Sequence, residues 1–151
     1  MTILRDRGAG ICIIDHEDNI LVLKRSAECT FGESWCLPGG RVDDEDYLFN
    51  QSMQEALFLA AQRELWEETK IKLSFFENKS FGHIDTYRNK FLFRTFIFKI
   101  GKKEKSLINS EIKLNFEHTE WKWQSIFNLE ELKMHPSLVI TITEIKNGDI
   151  L

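Results

Sequence analysis

The segment EALFLAAQRELWEETKI, residues 55–71, constrains the fold of this chain more than any other stretch. Apolar residues recur along it every three or four positions, which is the spacing of an amphipathic helix. We therefore expect a helix whose apolar face packs on a core. The residues expected on that face are Phe58, Leu59, Ala61, Leu65 and Trp66.

The polar face of this helix carries three glutamates that stability alone would not place together. Glu64, Glu67 and Glu68 are related as i, i+3 and i+4, so they lie on one face. Like charges at that spacing cost a helix roughly 0.2–0.5 kcal/mol per pair, and acids near its C-terminus oppose the helix dipole. One interpretation is a solvated charged face. The other, which we favour, is a site for a divalent cation such as Mg²⁺, because such ions bind converging carboxylates.

Length and charge bound the classes of protein that fit. A chain of 151 residues predicts one domain, residues 1–151, with a core of its own. Hydrophobic residues make up 42% and charged residues 29%, which is typical of a globular protein. The net charge is −4 and no basic block occurs, which argues against duplex nucleic acid or an anionic membrane as the main partner.

The sequence predicts a cytoplasmic location. No apolar run approaches the roughly 18 residues that a membrane-spanning helix needs. The first residues, MTILRDRGAG, lack the long apolar stretch of a signal peptide. Cys12, Cys29 and Cys36 are odd in number and lack paired metal-binding spacing, so we interpret them as reduced thiols.

Several segments have the composition of β-strands. GAGICIID and NILVLKRS are predicted as strands joined by the polar turn HEDN. SFGHIDTYRN and KFLFRTFIFKI are predicted as strands around a turn at residues 88–90, and EWKWQSI as a further strand. KFLFRTFIFKI is apolar on both faces, so we expect it at the centre of its sheet.

The remaining segments complete the predicted architecture. GKKEKSLINSEIK is expected to be a charged surface loop, NLEELK a short helix, and PSLVITITEIKN a final helix with Pro136 near its start. Strands on both sides of a long helix predict an α/β or α+β sandwich.

Two glycines and an arginine complete the pattern around the acidic helix. Gly39 and Gly40 come first, followed by a spacer, Glu55, seven residues and the run RELWEETKI at residues 63–71. This order resembles the Nudix box of the Nudix hydrolases, G-x5-E-x7-R-E-U-x-E-E-x-G-U, where U is aliphatic. The resemblance extends over most of the chain, through SWCLPGG before the helix and EHTEWKW after it.

The resemblance implies a fold and an activity. The implied fold is an α/β/α sandwich around a mixed β-sheet, with the box as loop–helix–loop. The implied activity is hydrolysis of a nucleoside diphosphate linked to a moiety X, with Mg²⁺ or Mn²⁺ as cofactor. We expect a MutT-like pyrophosphatase for a (deoxy)nucleoside triphosphate or another small nucleotide, acting as a monomer or homodimer. Nucleotide sugars, ADP-ribose, coenzyme A and other dinucleotides are alternative substrates.

Site residues follow from the same resemblance. The carboxylates of Glu64, Glu67 and Glu68 and the carbonyl of Gly39 match the metal ligands of the family. Arg63 matches an arginine that orients carboxylates through forked hydrogen bonds. The alternative is an ordinary exposed arginine. Arg63, Glu67 and Glu68 are thus the candidate catalytic residues of the box.

Three residues outside the box are further candidates. Arg25 ends a predicted strand and is expected to hold a phosphate, unless it is a generic surface arginine. Some family members use as general base a glutamate on a loop before a strand that bears a tryptophan. Glu117 stands six residues before Trp123 and is our first choice for that base, with Glu120 second. The alternative for both is a solvated loop acid.

The spacer departs from the family pattern. Fourteen residues, 41–54, separate the second glycine from Glu55, where the pattern has five. Either the nine extra residues form a surface excursion that leaves Glu55 as the anchor of loop to helix, or Glu45 or Asp46 takes over that role. We favour the first alternative, because Glu55 keeps its distance from Arg63.

Lys70 occupies the position of the glycine of the box. That glycine ends the helix in a left-handed conformation, which a lysine adopts at a cost of roughly 1 kcal/mol. We therefore expect a slightly different helix end and an intact site. The lysine charge near a helix C-terminus is favourable.

Two functions other than nucleotide hydrolysis are alternatives for such a fold. A nucleotide-binding sensor is the non-enzymatic alternative, and the intact acids argue against it. An isomerase of the isopentenyl diphosphate type would need a catalytic cysteine, and no such motif is evident near Cys36.

Overall fold

The computed structural model describes residues 7–48, 52–76 and 82–148. Within these ranges, seven strands form one mixed sheet: β1 (Arg7–Ile14), β2 (Asn19–Arg25), β3 (Trp35–Cys36), β4 (Gly39–Arg41), β5 (Gly82–Arg88), β6 (Phe91–Lys99) and β7 (His118–Ser125). The described helices are α1 (Glu45–Leu48), α2 (Met53–Thr69), α3 (Lys102–Glu111) and α4 (Pro136–Asn147), with 3₁₀ turns at Leu73–Phe75 and Ile126–Glu131. The predicted fold class, helices around a mixed sheet, is confirmed.

The sheet is built around β1 and β6. These two strands run parallel over their whole common length, from Arg7 opposite Leu92 to Ile14 opposite Lys99. The other edge of β6 pairs with β5 in antiparallel fashion, so the predicted central position of β6 is confirmed. β4 lies antiparallel to β1, while β2 pairs with β3 and β7. Residues 80–81 of the predicted strand SFGHIDTYRN lie outside the described residues.

The sheet separates two cores because side chains alternate along its strands. On β1, Ile11 and Ile13 pack in the core on the side of α2, whereas Cys12 and Ile14 pack in the core on the side of α4. Leu65 of α2 is fully buried in the first core. This arrangement is the α/β/α sandwich. None of the described helices has the length and apolar character needed to cross a membrane.

The buried face of α2 differs from the predicted one by a rotation about the helix axis. Its fully buried apolar residues are Ala56, Leu57, Ala60, Ala61 and Leu65. Phe58 and Leu59 are half-buried, and Trp66 is 43% exposed. The prediction that Trp66 packs in the core is therefore wrong. Its ring instead lies under the Lys70 ammonium, with Nζ 3.7 Å from the ring centroid.

The segment GKKEKSLINSEIK is largely helical, and the prediction of a surface loop is wrong. It contains α3, which begins after Gly101, where the Gly101 N–H donates to the Glu104 carboxylate at 3.0 Å. Ile108 is fully buried against the core on the α2 side. One buried side chain and a capped N-terminus thus hold a helix whose sequence is otherwise charged.

Lys70 ends α2 in the left-handed conformation, with φ 64° and ψ 16°. Its N–H donates to the Trp66 carbonyl at 2.9 Å, as the glycine of a helix C-terminus would do. The expectation of a slightly different helix end is therefore wrong: the backbone keeps the left-handed ending of the family pattern, although the residue is not glycine. The contact with the Trp66 ring offsets part of the cost of that conformation.

We predict that Lys70→Gly is more stable than Lys70→Ala by about 1 kcal/mol, because only the alanine keeps a Cβ in the left-handed region. Both variants lose the ammonium over Trp66, so their difference isolates the backbone effect. Urea unfolding of the two variants measures it. Equal stabilities would mean that the helix end carries no such strain.

Candidate active site

The acidic face of α2 lies against the double glycine of β4. Glu68 is buried, with 3% of its surface exposed, and its Oε1 accepts a hydrogen bond from the Gly39 N–H at 3.1 Å. A Cβ placed on Gly40 would stand 2.5 Å from the carboxyl carbon of Glu64. Because that carbon is at the end of a flexible side chain, a larger residue at position 40 would displace the Glu64 carboxylate from its present position.

The carboxylates of Glu64 and Glu68 hold a proton between them. Burial, and then the neighbouring Glu64, raise the pKa of Glu68 to about 9. Burial also raises the pKa of Glu64, which accepts a hydrogen bond from Glu68. Two acids that share a buried site cannot both ionise unless a positive charge compensates them. Glu67, on the exposed side of the face, has a side chain that is 49% exposed.

Arg63 connects this face to two other segments of the chain. Its Nη1 donates to Glu64 at 3.0 Å and lies 3.4 Å from the Glu67 carboxylate. Its Nη2 donates to the carbonyl of Arg41, at the end of β4, at 3.1 Å. The prediction of an arginine in contact with the carboxylates, rather than an ordinary exposed arginine, agrees with this geometry.

The acid that holds Arg63 in place comes from the inserted segment. Asp46, on α1, is 2% exposed and receives two bonds from the guanidinium, at 3.1 Å from Nε and 3.0 Å from Nη2. Asp43 lies 3.4 Å from Nη2. Glu55 instead contacts Ser52 at the start of α2: its N–H donates to the Ser52 hydroxyl, and its carboxylate accepts from that hydroxyl. The geometry thus favours Asp46, the second alternative, as the partner of Arg63.

The inserted segment is only partly a surface excursion. Val42 is 3% exposed and belongs to the core beneath α2, and Asp46 is buried as described. Asp43, Asp44 and Glu45 are exposed. Residues 49–51 of the segment lie outside the described residues. Burial of Asp46 is tolerated because its carboxylate is paired, which the sequence did not reveal.

Glu117 and Glu120 have different surroundings. Glu117 is half-buried and close enough to Glu68 for its charge to add to the rise in the pKa of Glu68, after burial and Glu64. Its carbonyl accepts a hydrogen bond from the Ser26 N–H at 2.8 Å. Glu120 is exposed, with a carboxylate oxygen 3.2 Å from the Nζ of Lys24. The structure therefore brings Glu117, and not Glu120, to the acidic face.

A cavity of about 430 Å³ adjoins the acidic face. Gly39 and Gly40 form one wall, and Phe91 and Phe93 of β6 form part of another. Its cationic residues are Arg25, Arg41 and Arg88. Of these, only Arg25 is a candidate from the sequence alone. Arg41 and Arg88 end strands that are distant in sequence, and only the pairing of β1 with both β4 and β6 brings them together.

Cys36, which lines the cavity, and His118 beside it are buried. Burial raises the pKa of the Cys36 thiol to about 12, so no thiolate nucleophile is available there at neutral pH. The Cys36 sulfur lies 3.6 Å from the Nε2 of His118. Burial, and then Arg25, lower the pKa of His118 to about 4, so its ring is neutral. This agrees with the absence of a cysteine-based isomerase motif.

The family model of the NUDIX domain matches residues 4–143. The chain belongs to the Nudix family of hydrolases. No curated protein sequence is significantly similar to it.

Solved structures share the Nudix fold at low identity. An Ap4A hydrolase from C. elegans, in a binary complex, has a TM-score of 0.68 and 18% identity over 93% of this chain and 96% of that chain. A MutT protein from Methanosarcina mazei Go1 has a TM-score of 0.63 and 21% identity over 95% and 94%. A bifunctional NMN adenylyltransferase/ADP ribose pyrophosphatase from Francisella tularensis, complexed with AMP and a Mn ion, has a TM-score of 0.65 and 18% identity over 94% and 41%.

Nudix hydrolases generally use a divalent metal, and the donors of the acidic face fit one. They are carboxylates and a backbone carbonyl, the hard oxygen ligands that Mg²⁺ and Mn²⁺ bind. The shared proton of Glu64 and Glu68 marks the place where a positive charge would be stabilised. Among the described residues, no three acidic, histidine or cysteine side chains already stand in the arrangement of a metal centre.

The raised pKa of Glu68 predicts a pH dependence of stability in the metal-free protein. The folded state holds this proton more tightly than the unfolded chain, in which the pKa of the carboxyl group is the ordinary 4.5. The contribution of this proton to the free energy of unfolding is therefore fully present below pH 4.5. It is lost as pH rises towards about 9. Glu68→Gln should remove much of this loss. Urea midpoints in a chelator at several pH values measure it.

Glu67→Gln is the control, since it removes one charge from the exposed part of the same face. Its midpoints should follow those of the wild type as pH changes. Parallel curves for the wild type and Glu68→Gln would contradict a proton shared between Glu64 and Glu68.

The geometry of Arg63 predicts unequal effects of its two candidate anchors. Asp46→Asn should lower the free energy of unfolding by about 2 kcal/mol, because a partly buried guanidinium loses a charged partner. Glu55→Gln should cost less than about 0.5 kcal/mol, since its contact with Ser52 is exposed. Urea unfolding measures both. A larger cost for Glu55→Gln would restore Glu55 as the anchor.

Proposed function

We propose that this Nudix hydrolase is a metal-dependent pyrophosphohydrolase for a nucleoside diphosphate linked to X, with a nucleoside triphosphate or another small nucleotide as substrate. The observation that carries the proposal is the position of Gly39 and Gly40. The two glycines touch Glu68 and Glu64 on one side and line the cavity on the other. A nucleotide in the cavity would therefore place its phosphates at the carboxylates.

The cation of the proposed reaction would be held by Glu64, Glu67, Glu68 and the carbonyl of Gly39. Bound Mg²⁺ or Mn²⁺ would supply the positive charge that neutralises the phosphates and makes water more acidic. Before it binds, Glu64 and Glu68 must give up the proton that they share. Arg63 keeps the carboxylates oriented through its bonds to Glu64 and Asp46.

Glu117 is the proposed general base. It would accept the proton of the attacking water. A proton acceptor must lie within about 3 Å of that water, or be connected to it through one further water. Its backbone is fixed on both sides: its N–H donates to the Asn115 side chain at 3.0 Å, and its carbonyl accepts from Ser26. A fixed backbone keeps the carboxylate near Glu68 and reduces the number of conformations that it must lose to reach the water.

The proposal also covers surroundings and partners. The described cysteines, Cys12, Cys29 and Cys36, are free thiols, which suits the proposed cytoplasmic location. The partner is a small nucleotide, bound by a monomer or homodimer. The chain keeps Arg63 and the acids of the proposed site, Glu64, Glu67, Glu68 and Glu117. Their presence supports catalysis rather than a sensor function.

The experiment is a survey of nucleotides with Mg²⁺, in which products are separated by chromatography. Nucleoside triphosphates, ADP-ribose, nucleotide sugars and coenzyme A are the probes. We expect phosphoanhydride cleavage that depends on Mg²⁺ and falls at least about a hundredfold in Glu67→Gln, because a metal ligand is lost. In Glu117→Gln, kcat should fall by about a hundredfold or more with little change in KM.

Glu120→Gln is the matched control for the base. It removes the same group from the same strand region, at a position paired with Lys24 on the surface. It should change kcat by less than about twofold. The reverse order of the two variants would move the role to Glu120. No Mg²⁺-dependent cleavage of any probe would refute the proposed function.

A further inference from the structure

The cavity beside the acidic face contains positive charge that its lining does not balance. Three guanidinium groups line it, and no aspartate or glutamate does. Among the residues that the structure describes, none of Arg25, Arg41 and Arg88 forms an ion pair. Arg63 and Arg94, by contrast, are bound by carboxylates. The cavity therefore presents a formal charge of about +3 in a recess where field lines are concentrated.

Each of the three arginines comes from the end of a different strand. Arg25 ends β2 and is oriented by the bond from its Nε to the Thr30 carbonyl at 2.7 Å. Arg41 ends β4, with its guanidinium carbon 5.5 Å from the centroid of the Phe91 ring. Arg88 ends β5. Three separate strands thus deliver like charges to one cavity.

His135, which also lines the cavity, lies within electrostatic reach of two of these arginines. Burial, and then Arg25 and Arg88, lower its pKa. The ring is therefore neutral near pH 7, and its Nδ1 accepts from the Ser137 N–H at 3.1 Å. The histidine thus leaves the cationic character of the cavity to the arginines and adds a neutral polar wall.

The acidic face of α2 and the arginine-lined cavity would bind different parts of the substrate. The scissile diphosphate of the proposed function belongs at the acidic face, where the metal neutralises it. A neutral X, such as an unphosphorylated sugar, would leave three guanidinium groups beside it without a counter-charge. Phosphate, in contrast, is the group that arginine binds with forked hydrogen bonds.

We propose that the cavity formed by Arg25, Arg41 and Arg88 binds a phosphate that X itself carries, so that phosphorylated X is the preferred substrate class. This rests on the proposed function. The phosphate has two possible sources: a longer phosphate chain, or a separate phosphomonoester on X. Both present the same dianionic oxygens to the arginines.

Two matched series distinguish the sources by kcat/KM. Ap2A, Ap3A and Ap4A vary the length of the chain. Dephospho-coenzyme A and coenzyme A differ by one phosphomonoester. We expect the more phosphorylated member of at least one series to be favoured by about tenfold or more, mostly through KM, as expected for a charge-assisted contact. Equal kcat/KM within both series would overturn the proposal.

Variants of the cavity test whether the arginines cause the preference. In Arg41→Gln and Arg88→Gln the preference should fall by about tenfold, and Arg88→Lys should restore part of it. Lys90→Gln is the control, because it removes a charge from the β5–β6 turn at a residue that does not line the cavity. A loss of preference in Lys90→Gln as large as in Arg88→Gln would also contradict the proposal.

A binding measurement separates this proposal from the proposed function. Calorimetry with inorganic tripolyphosphate and a chelator present needs no turnover and no metal. We expect binding to the wild type and to Lys90→Gln, weakened about tenfold or more in Arg41→Gln/Arg88→Gln. Equal affinity in all three proteins refutes the arginine site even where hydrolysis occurs. Weakened binding without hydrolysis of any nucleotide supports the site and refutes the enzyme function.

Discussion

The hydrogen bonds of Arg63 are the contacts on which the geometry of the site depends. This side chain joins its own helix, through Glu64, to the end of β4, through the Arg41 carbonyl, and to α1, through Asp46. It reaches all three because α2 is packed closely on the sheet, with Leu65 fully buried. The order of the carboxylates is therefore a consequence of core packing combined with one guanidinium that has several donors in a fixed plane.

The acidic face is a place where stability and chemistry oppose each other. Glu68 is buried beside Glu64, and a pair of this kind is favourable only while it keeps a proton or gains a cation. The close approach of Gly40 to Glu64 prevents the pair from moving apart on that side. A protein selected for stability alone would replace one of these acids. Their presence lowers the stability of the folded protein as long as no cation is bound between them.

The features that the sequence predicted well are those with a local pattern. The acidic face follows from helical spacing, and the central strand β6 from a continuous apolar run. The helix α3 was missed because Ile108 is its one fully buried residue and supplies almost no periodicity. The position of Trp66 was missed because a contact with Lys70 replaced burial.

Contacts between distant segments were the other source of error. Asp46 lies in an insertion that no spacing rule describes, so its bond to Arg63 is visible only once α1 folds against α2. Arg41 and Arg88 come together only through the register of four strands, β4, β1, β6 and β5. The roles of Glu67 and Glu117 stay predictions; Glu67 lies 3.4 Å from Arg63, and the charge of Glu117 contributes to the raised pKa of Glu68.

The bond from the Ser26 N–H to the Glu117 carbonyl has a mechanical consequence. Ser26 directly follows Arg25 in the chain, and Cys29 closes the same turn on Ser26. Arg25, one of the three arginines of the cavity, and the proposed base are therefore neighbours through their backbones, although 92 positions in the sequence separate them. A ligand that displaces Arg25 therefore also acts on the backbone of Glu117, through the Ser26 hydrogen bond and through the pairing of Arg25 with His118.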